Sequence, residues 1–204
     1  MKPPSPAERR RLLAILARPP AEAAPRLLGQ LLVRRFRGRA LAARIVETEA
    51  YLGQGDPAAH ACRGRTARTE PLWGLPGTIY IYFIYGMHHC LNLAVDREGM
   101  PGCVLIRAAE PLGGLPPDAC RGPGRLCRTL DLVADHSGAH IFDPGSPLVL
   151  REGEPPRRVE VSPRVGITQA AQWPLRFYDA DSAAVSVRAR SGRSVVPART
   201  PGRS

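Results

Sequence analysis

One run, from Thr78 to Cys90, concentrates aromatic and β-branched side chains more tightly than any other part of the chain. Three of its residues, Tyr80, Tyr82 and Tyr85, fall within six positions, although the chain has only five tyrosines. Such side chains favour a strand because they pack well on a pleated surface. Gly86 follows the run directly and can adopt the positive φ of a tight reversal. The sequence therefore predicts a β-hairpin with three large side chains at its tip: Tyr85, Met87 and His88.

Large apolar groups at a hairpin tip are costly in water, so the tip predicts a binding partner. In a basic protein the prediction is a wedge, in which Tyr85 enters a nucleic-acid duplex through the minor groove and unstacks its bases. The alternative is that the tyrosines pack in a core. Tyr80 and Tyr82 lie two residues apart and share a face of the strand, which favours core or pocket lining for both.

The net charge of +11 predicts a polyanionic partner, because clustered cations release condensed counterions from nucleic acid. Lys2 is the only lysine among the 29 basic residues, so a lysine Schiff base with an opened sugar is not expected in the folded region.

No apolar run is long enough to span a bilayer, and the amino terminus shows no apolar signal region. Five cysteines without a C-x-x-C pair indicate reduced thiols. We expect a cytoplasmic protein, associated with the nucleoid in a bacterium, that has no membrane partner.

A length of 204 residues predicts one domain, residues 1–188, and the segment 189–204 predicts a disordered basic tail. Capping and turn signals predict helices at Pro6–Ala17, Ala21–Leu28 and Gly122 to about Val133. Residue preferences predict strands at Gln30–Phe36, Ala40–Tyr51, Leu91–Val95 and Gly102–Ala108, with shorter ones at Pro147–Leu150, Arg158–Val161 and Ala184–Val187. The segment 53–77 is predicted to be a functional loop with a helical turn near Thr69–Trp73.

Two carboxylates are expected on one face of a strand. Within Ala40–Tyr51, alternation places four side chains on the same face: Ile45, Glu47, Glu49 and Tyr51. One interpretation is a solvated edge, where arginines pair with both carboxylates. The other is that one carboxylate acts as a general base. His60, nine residues beyond Tyr51, is by itself more typical of a structural histidine.

Five side chains have the chemistry of zinc ligands: His60, Cys62, His88, His89 and Cys90. Zinc ligands usually come in pairs separated by two to four residues, a spacing that neither group here matches. Strand alternation would also split the contiguous group across two faces. We therefore expect no metal and no cofactor. A deaminase is not expected either, because its His-x-Glu and Pro-Cys-x-x-Cys motifs are missing from the sequence.

The chain resembles the alkyladenine (3-methyladenine) DNA glycosylase family from about Leu27 to Val187. The motifs that carry the resemblance recur in order: Ile45–Gly53, Ala58–His60, Gly77–Asn92, Cys103–Leu112, Gly122–Cys127, Arg164–Gly166 and Pro174–Tyr178. The resemblance implies an α+β fold, a single mixed domain with a curved antiparallel β-sheet, flanking helices and a protruding β-hairpin that intercalates in DNA. It further implies that the partner is double-stranded DNA containing damaged purines and that a flipped base occupies a pocket. We expect a monomer.

The resemblance assigns the chemistry to Glu49, which would activate water, and to Arg107, which would help to orient that water. It places five side chains around the flipped base: Tyr51, His60, Tyr82, Asn92 and Ala58. Tyr51 would stack on the base. Asn92 would disfavour normal guanine by crowding its exocyclic amino group.

At the hairpin tip, Tyr85 matches the family's intercalating tyrosine, and Met87 and His88 lie beside it. His88 stands where relatives can carry an aromatic side chain, and a histidine there can stack or contact phosphate. Five arginines are candidates for phosphate contacts: Arg63, Arg65, Arg68, Arg125 and Arg128. The alternative for each of them is ordinary surface charge.

Release of an alkylated base demands little chemistry from the protein, because alkylation has already made the leaving base cationic. A single carboxylate, Glu49, can deprotonate water and stabilise the oxocarbenium-like sugar without any lysine. Together with the resemblance, the sequence predicts a monofunctional DNA glycosylase of base excision repair that acts on alkylated or deaminated purines: 3-methyladenine and, among others, 7-methylguanine, hypoxanthine or ethenoadenine. A non-catalytic nucleic-acid-binding protein is the alternative. A metal-dependent nuclease would need a carboxylate or histidine cage that the sequence does not offer.

Overall fold

The computed structural model describes residues 3–36, 38–84 and 86–187. The helices are α1 (Pro6–Leu16), α2 (Pro20–Leu27) and α3 (Pro123–Thr129). The strands are β1 (Leu31–Phe36), β2 (Arg39–Tyr51), β3 (Ile79–Ile84), β4 (His88–Val95), β5 (Gly102–Pro111), β6 (Val149–Arg151), β7 (Val159–Ser162) and β8 (Arg176–Asp179). Short 3₁₀ turns at Gly53–Gly55, His60–Arg63 and Glu70–Trp73 lie between β2 and β3, where the sequence predicts a loop with a helical turn.

These strands form one antiparallel sheet that curls into half a barrel. Six of them follow the order β3-β4-β5-β2-β1-β6, while β8 pairs with β2 and β7. The long strand β2 pairs with β5 on one side and, on the other, first with β1 and then with β8. The predicted α+β fold with a curved antiparallel sheet is confirmed. Three neighbouring strands therefore fix the backbone of β2, the strand with both candidate carboxylates.

Helices α1 and α2 pack on one face of the sheet. The predicted capping box opens α1: Glu8 N donates to Ser5 Oγ at 3.2 Å, and Ser5 N donates to Glu8 Oε2 at 3.3 Å. Leu12, Leu16 and Leu27 are fully buried in the core between these helices and the sheet. Because the helices fill this side, the opposite side of β2 is left to a different set of side chains.

A break in the register of β2 decides which side chains reach that opposite side. The pairing with β5 shifts between Ile45 and Glu47 and again between Glu47 and Thr48. Ile45 consequently packs in the helix-side core together with Ala50. The prediction that Ile45 shares a face with Glu47 is therefore wrong, because a bulge inserts an extra residue into the alternation.

Strands β3 and β4 form the predicted hairpin, with Ile84 opposite His88 and with Gly86 at a φ of +68°. Phe83 and Met87 are 49% and 69% exposed at its outer end. The predicted wedge residue Tyr85 lies outside the described residues. Of the predicted tip residues, Met87 is thus an exposed apolar side chain at the end of the hairpin.

Two predicted elements differ in extent or place. Helix α3 ends at Thr129 rather than near Val133, because Asp131 adopts a left-handed backbone with a φ of +49°. The segment Ala184–Val187 is irregular, and the third short strand is β8 instead. The backbone N–H of Ser186 donates to the Glu47 carboxylate rather than to a neighbouring strand. The predicted tail, 189–204, lies outside the described residues.

Among the described helices, none combines the length and the apolar character that crossing a membrane requires.

Candidate active site

Glu49 is a carboxylate with no exposed surface that is held at both oxygens. The N–H of Val165 donates to Oε1 at 2.9 Å, and the hydroxyl of Tyr51 donates to Oε2 at 3.0 Å. Arg107 Nη1 lies 3.6 Å from Oε1. These three contacts come from three different segments, so the carboxylate has a defined orientation.

Arg107 is in turn oriented by the second carboxylate. Its Nε lies 3.1 Å from Glu47 Oε1 and 3.1 Å from Ser186 Oγ. Glu47 also accepts hydrogen bonds from Arg176 Nε at 2.7 Å and from Ser186 N at 2.6 Å, and it has no exposed surface. The two carboxylates therefore have different roles: Glu47 anchors guanidiniums, while Glu49 keeps a single guanidinium contact at longer range.

Burial raises the pKa of Glu49 above its ordinary value. The positive charge of Arg107 and the hydrogen bonds from Val165 and Tyr51 oppose this rise without cancelling it, and the negative charge of Glu47 adds to it. A carboxylate with a raised pKa is a stronger base than one in water. Glu49 therefore has the electrostatics of a general base.

The groups that hold Glu49 border a cavity of about 600 Å³. Glu49 itself does not line the cavity, whereas Tyr51, Arg107 and Val165 do. All five residues predicted to surround a base also line it: Tyr51, Ala58, His60, Tyr82 and Asn92. Sequence reasoning did not assign a pocket role to several further lining residues, among them Cys90, Cys103 and Ile167. The cavity is of a size that suits a small planar ligand.

One wall of the cavity is aromatic. The His60 ring meets Tyr82 edge-on with a centroid separation of 4.5 Å, and its Nδ1 lies 2.9 Å from the Tyr80 hydroxyl. Burial lowers the pKa of His60, and the charges of Arg68 and Arg63 lower it further. At neutral pH the imidazole therefore adds no positive charge to this wall.

Asn92 is buried, with both polar atoms of its side chain in use. Its Nδ2 donates to the carbonyls of Tyr80 and Cys90 at 3.2 and 3.3 Å, and Cys103 Sγ lies 3.9 Å from its Oδ1. Burial raises the pKa of the Cys103 thiol to about 12, so this thiol stays protonated. The Asn92 amide is consequently fixed against the cavity in one orientation.

A buried ion pair, Asp56 with Arg164, lies next to Tyr51, and sequence reasoning gave neither residue a role. Arg164 Nη1 donates to Asp56 Oδ2 at 2.5 Å and Nη2 donates to Oδ1 at 2.9 Å, while the guanidinium carbon lies 4.5 Å from the Tyr51 ring centroid. The one sequence signal for Asp56 is the turn-forming Asp-Pro dipeptide with Pro57. Arg164 belongs to the motif Arg164–Gly166, in which Val165 contacts Glu49.

The predicted phosphate-contacting arginines are exposed, and they differ in their partners. Arg125 and Arg128 line the cavity, as does His88 from the hairpin. Arg65 pairs with Glu70 at 2.5 Å, and Arg125 pairs with Asp118 at 2.6 Å. Arg68 lies 5.9 Å from the centroid of the Tyr82 ring. Arg125 and Arg128 thus place two exposed cations at the wall of the cavity.

Within the described ranges, no three His, Cys, Asp or Glu side chains come together in a way that could hold a metal ion.

The chain matches the family model described as methylpurine-DNA glycosylase over residues 14–183. A protein of Methanocella arvoryzae named "Putative 3-methyladenine DNA glycosylase" is 42% identical over 187 residues, which cover 84% of this chain and 93% of the relative. Proteins of the same name from Myxococcus xanthus and Synechococcus elongatus are both 45% identical, over 87% and 86% of this chain and 93% and 90% of the relatives. The part of the chain that matches the family model, residues 14–183, includes every residue that lines the cavity.

Proposed function

This chain belongs to the methylpurine-DNA glycosylase family, and we propose that it hydrolyses the N-glycosidic bond of damaged purines in double-stranded DNA. The relatives are named for 3-methyladenine, and we take that base as the first substrate. Other purines with weakened pairing, namely 7-methylguanine, hypoxanthine and ethenoadenine, are further substrates of the proposal. The enzyme is monofunctional: water is the nucleophile, and the DNA strand stays intact.

The observation that carries the proposal is the setting of Glu49. A fully buried carboxylate with a raised pKa is bound to three groups that border an aromatic cavity. In the proposed reaction Glu49 takes a proton from water, whose oxygen attacks the anomeric carbon as the bond to the base breaks. Arg107 orients that water. The reaction requires that one water molecule reach Glu49 past Tyr51, Arg107 or Val165.

The cavity walls suit a flipped purine. Tyr51 and Tyr82 offer aromatic faces, which attract electron-poor and cationic rings. His60 is uncharged at neutral pH and so does not repel a cationic base. Extruding a base costs a few kcal/mol and costs least where pairing is already weak. Base flipping therefore favours damaged purines before any contact in the pocket is made.

The hairpin and the surrounding arginines serve DNA binding in this proposal. Phe83 and Met87, on either side of position 85, are exposed, and we assign Tyr85 the wedge role on the family resemblance. Arg63, Arg65, Arg68, Arg125 and Arg128 contact phosphates and position the duplex. We place the protein in the cytoplasm as a monomer, with chromosomal DNA as its partner.

The test is a base-release assay in the presence of EDTA. Methylated duplex DNA and duplexes with a single hypoxanthine or ethenoadenine are incubated with the protein, after which free base is measured by chromatography and strand breakage by gel electrophoresis. We expect free 3-methyladenine in EDTA, with breaks only after alkali treatment. Strand breakage that precedes base release would indicate a nuclease or lyase. Binding without any release would leave a non-catalytic DNA-binding protein.

A further inference from the structure

The pair of Asp56 and Arg164 is the most deeply buried ion pair near the cavity, since neither side chain has any exposed surface. Asp56 also accepts hydrogen bonds from Leu52 N at 3.1 Å and from Ala58 N at 3.0 Å. Burial alone would raise the pKa of Asp56, but the hydrogen bonds from Arg164 and from these two amides outweigh it and hold the pKa below its ordinary value. Asp56 is therefore ionised at neutral pH, and it neutralises the guanidinium.

The guanidinium of Arg164 lies behind the ring on which we expect the base to stack. Its carbon is 4.5 Å from the Tyr51 centroid, and Arg164 does not line the cavity, whereas Tyr51 does. The guanidinium therefore contacts the Tyr51 ring without itself reaching the cavity wall. A charge in this position acts on a bound base directly and also by polarising the ring between them.

The charges beneath the cavity are balanced. Three buried carboxylates face three guanidiniums, in the pairs Glu47 with Arg176, Glu49 with Arg107, and Asp56 with Arg164. A base that carries a positive charge, such as 3-methyladenine in DNA, therefore meets no unpaired guanidinium among the buried residues beneath the cavity. Without Asp56, one buried cation would remain directly behind Tyr51.

We propose that Asp56 determines the selectivity of the pocket for cationic over neutral bases by neutralising the guanidinium behind Tyr51. This inference rests on the proposed function, because it concerns which bases that activity releases. Asp56 contacts no substrate and acts through Arg164 and Tyr51, so it is a positioning and charge-setting residue. Removal of its charge would weaken the stacking of a cationic base and leave the stacking of a neutral base nearly unchanged.

The test uses the ratio of two single-turnover rate constants at pH 8, one for release of cationic 3-methyladenine and one for release of neutral hypoxanthine or ethenoadenine. Both rates are measured on the same preparation, so partial unfolding cancels in the ratio. The variants are Asp56→Asn, Arg164→Gln and the double variant that combines them. Asp56→Asn leaves an unpaired cation, Arg164→Gln leaves an unpaired anion, and the double variant leaves neither.

We expect Asp56→Asn to lower the ratio about tenfold, Arg164→Gln to raise it about threefold, and the double variant to lie within about twofold of the parent. A ratio that is unchanged in both single variants, or lowered equally in all three, overturns the proposal.

If Asp56→Asn does not fold, an Arg164→Gln ratio at or below the parental value overturns it. If the parent releases only cationic bases, Asp56→Asn must slow that release more than the double variant does. A parent that releases neither class refutes the proposed function instead.

Discussion

The hydroxyl of Tyr51 donates a 3.0 Å hydrogen bond to Oε2 of Glu49, two residues earlier on the same strand. One side chain therefore both lines the cavity with its ring and holds the carboxylate that we assign to catalysis. The arrangement follows from strand alternation, because residues two apart project from the same face. It links the ring on which we expect the base to stack directly to the carboxylate that we propose as the general base.

Tyr51→Phe separates these two roles, because it keeps the ring and removes the hydroxyl. The hydrogen bond from this hydroxyl lowers the pKa of Glu49 in the parent protein, so its removal raises that pKa in Tyr51→Phe. Since Glu49 works deprotonated, activity is lost as pH falls through its pKa, and this loss should begin at a higher pH. We expect about a tenfold slower release at pH 7, with affinity for an abasic-site analogue within about twofold of the parent. If the loss of activity at low pH begins at the same pH as in the parent protein, the Tyr51 hydroxyl does not act on Glu49.

Arg107→Gln should shift the loss of activity at low pH to a still higher pH than Tyr51→Phe does. Arg107 is the strongest of the influences that lower the pKa of Glu49, so its removal raises that pKa more than loss of the Tyr51 hydroxyl does. We also expect release at the pH optimum to slow about 100-fold, because the proposed water loses an orienting group. Profiles of single-turnover rate against pH for the two variants measure the order of the shifts. If Arg107→Gln loses activity at a lower pH than Tyr51→Phe does, this electrostatic assignment is contradicted.

The wedge is tested with Tyr85→Ala. We expect the affinity for a duplex with a single lesion to fall at least about tenfold and base flipping to slow. The affinity for single-stranded DNA that contains the same lesion should stay unchanged. Fluorescence of 2-aminopurine beside the lesion reports unstacking. Met100→Ala is the control, since Met100 is an exposed apolar side chain, 41% exposed, that lies outside the hairpin. Equal effects in the two variants would remove the special role of the hairpin.

Arg125 tests the phosphate contacts. In the parent it pairs with Asp118 in an exposed ion pair, which is weak enough for phosphate to replace the carboxylate. Arg125→Gln should reduce the slope of log K against log[salt] for undamaged duplex by about 0.9. Arg11→Gln should not change it, because Arg11 pairs with Glu152 beside β6, at the far edge of the sheet from the hairpin. Equal slopes for the parent and Arg125→Gln would leave Arg125 as ordinary surface charge.

Short-range patterns were enough to predict much of this structure. The capping box of α1, the hairpin of β3 and β4 and the shared face of Glu49 and Tyr51 all depend on residues within a few positions of one another. The family resemblance supplied the list of pocket residues, and the cavity brings all of them together. These features needed no knowledge of distant contacts.

Other features depend on contacts that a linear pattern does not contain. The bulge that turns Ile45 into the core arises from pairing with β5, about 60 residues further along the chain. The Asp56 partner, Arg164, lies 108 positions away, and neither residue type signals burial by itself. Ser186 satisfies its backbone N–H with Glu47 instead of a strand neighbour, which is why the predicted strand at Ala184–Val187 does not form.

The most direct test of the central claim is base release by Glu49→Gln, measured under single-turnover conditions on methylated duplex DNA. Glutamine keeps the size of the side chain and cannot take the proton from water. We expect release to fall by at least about 1,000-fold, while the variant binds a duplex with an abasic analogue as tightly as the parent does. Release by Glu49→Gln at the parental rate would contradict the assignment of this carboxylate as the general base.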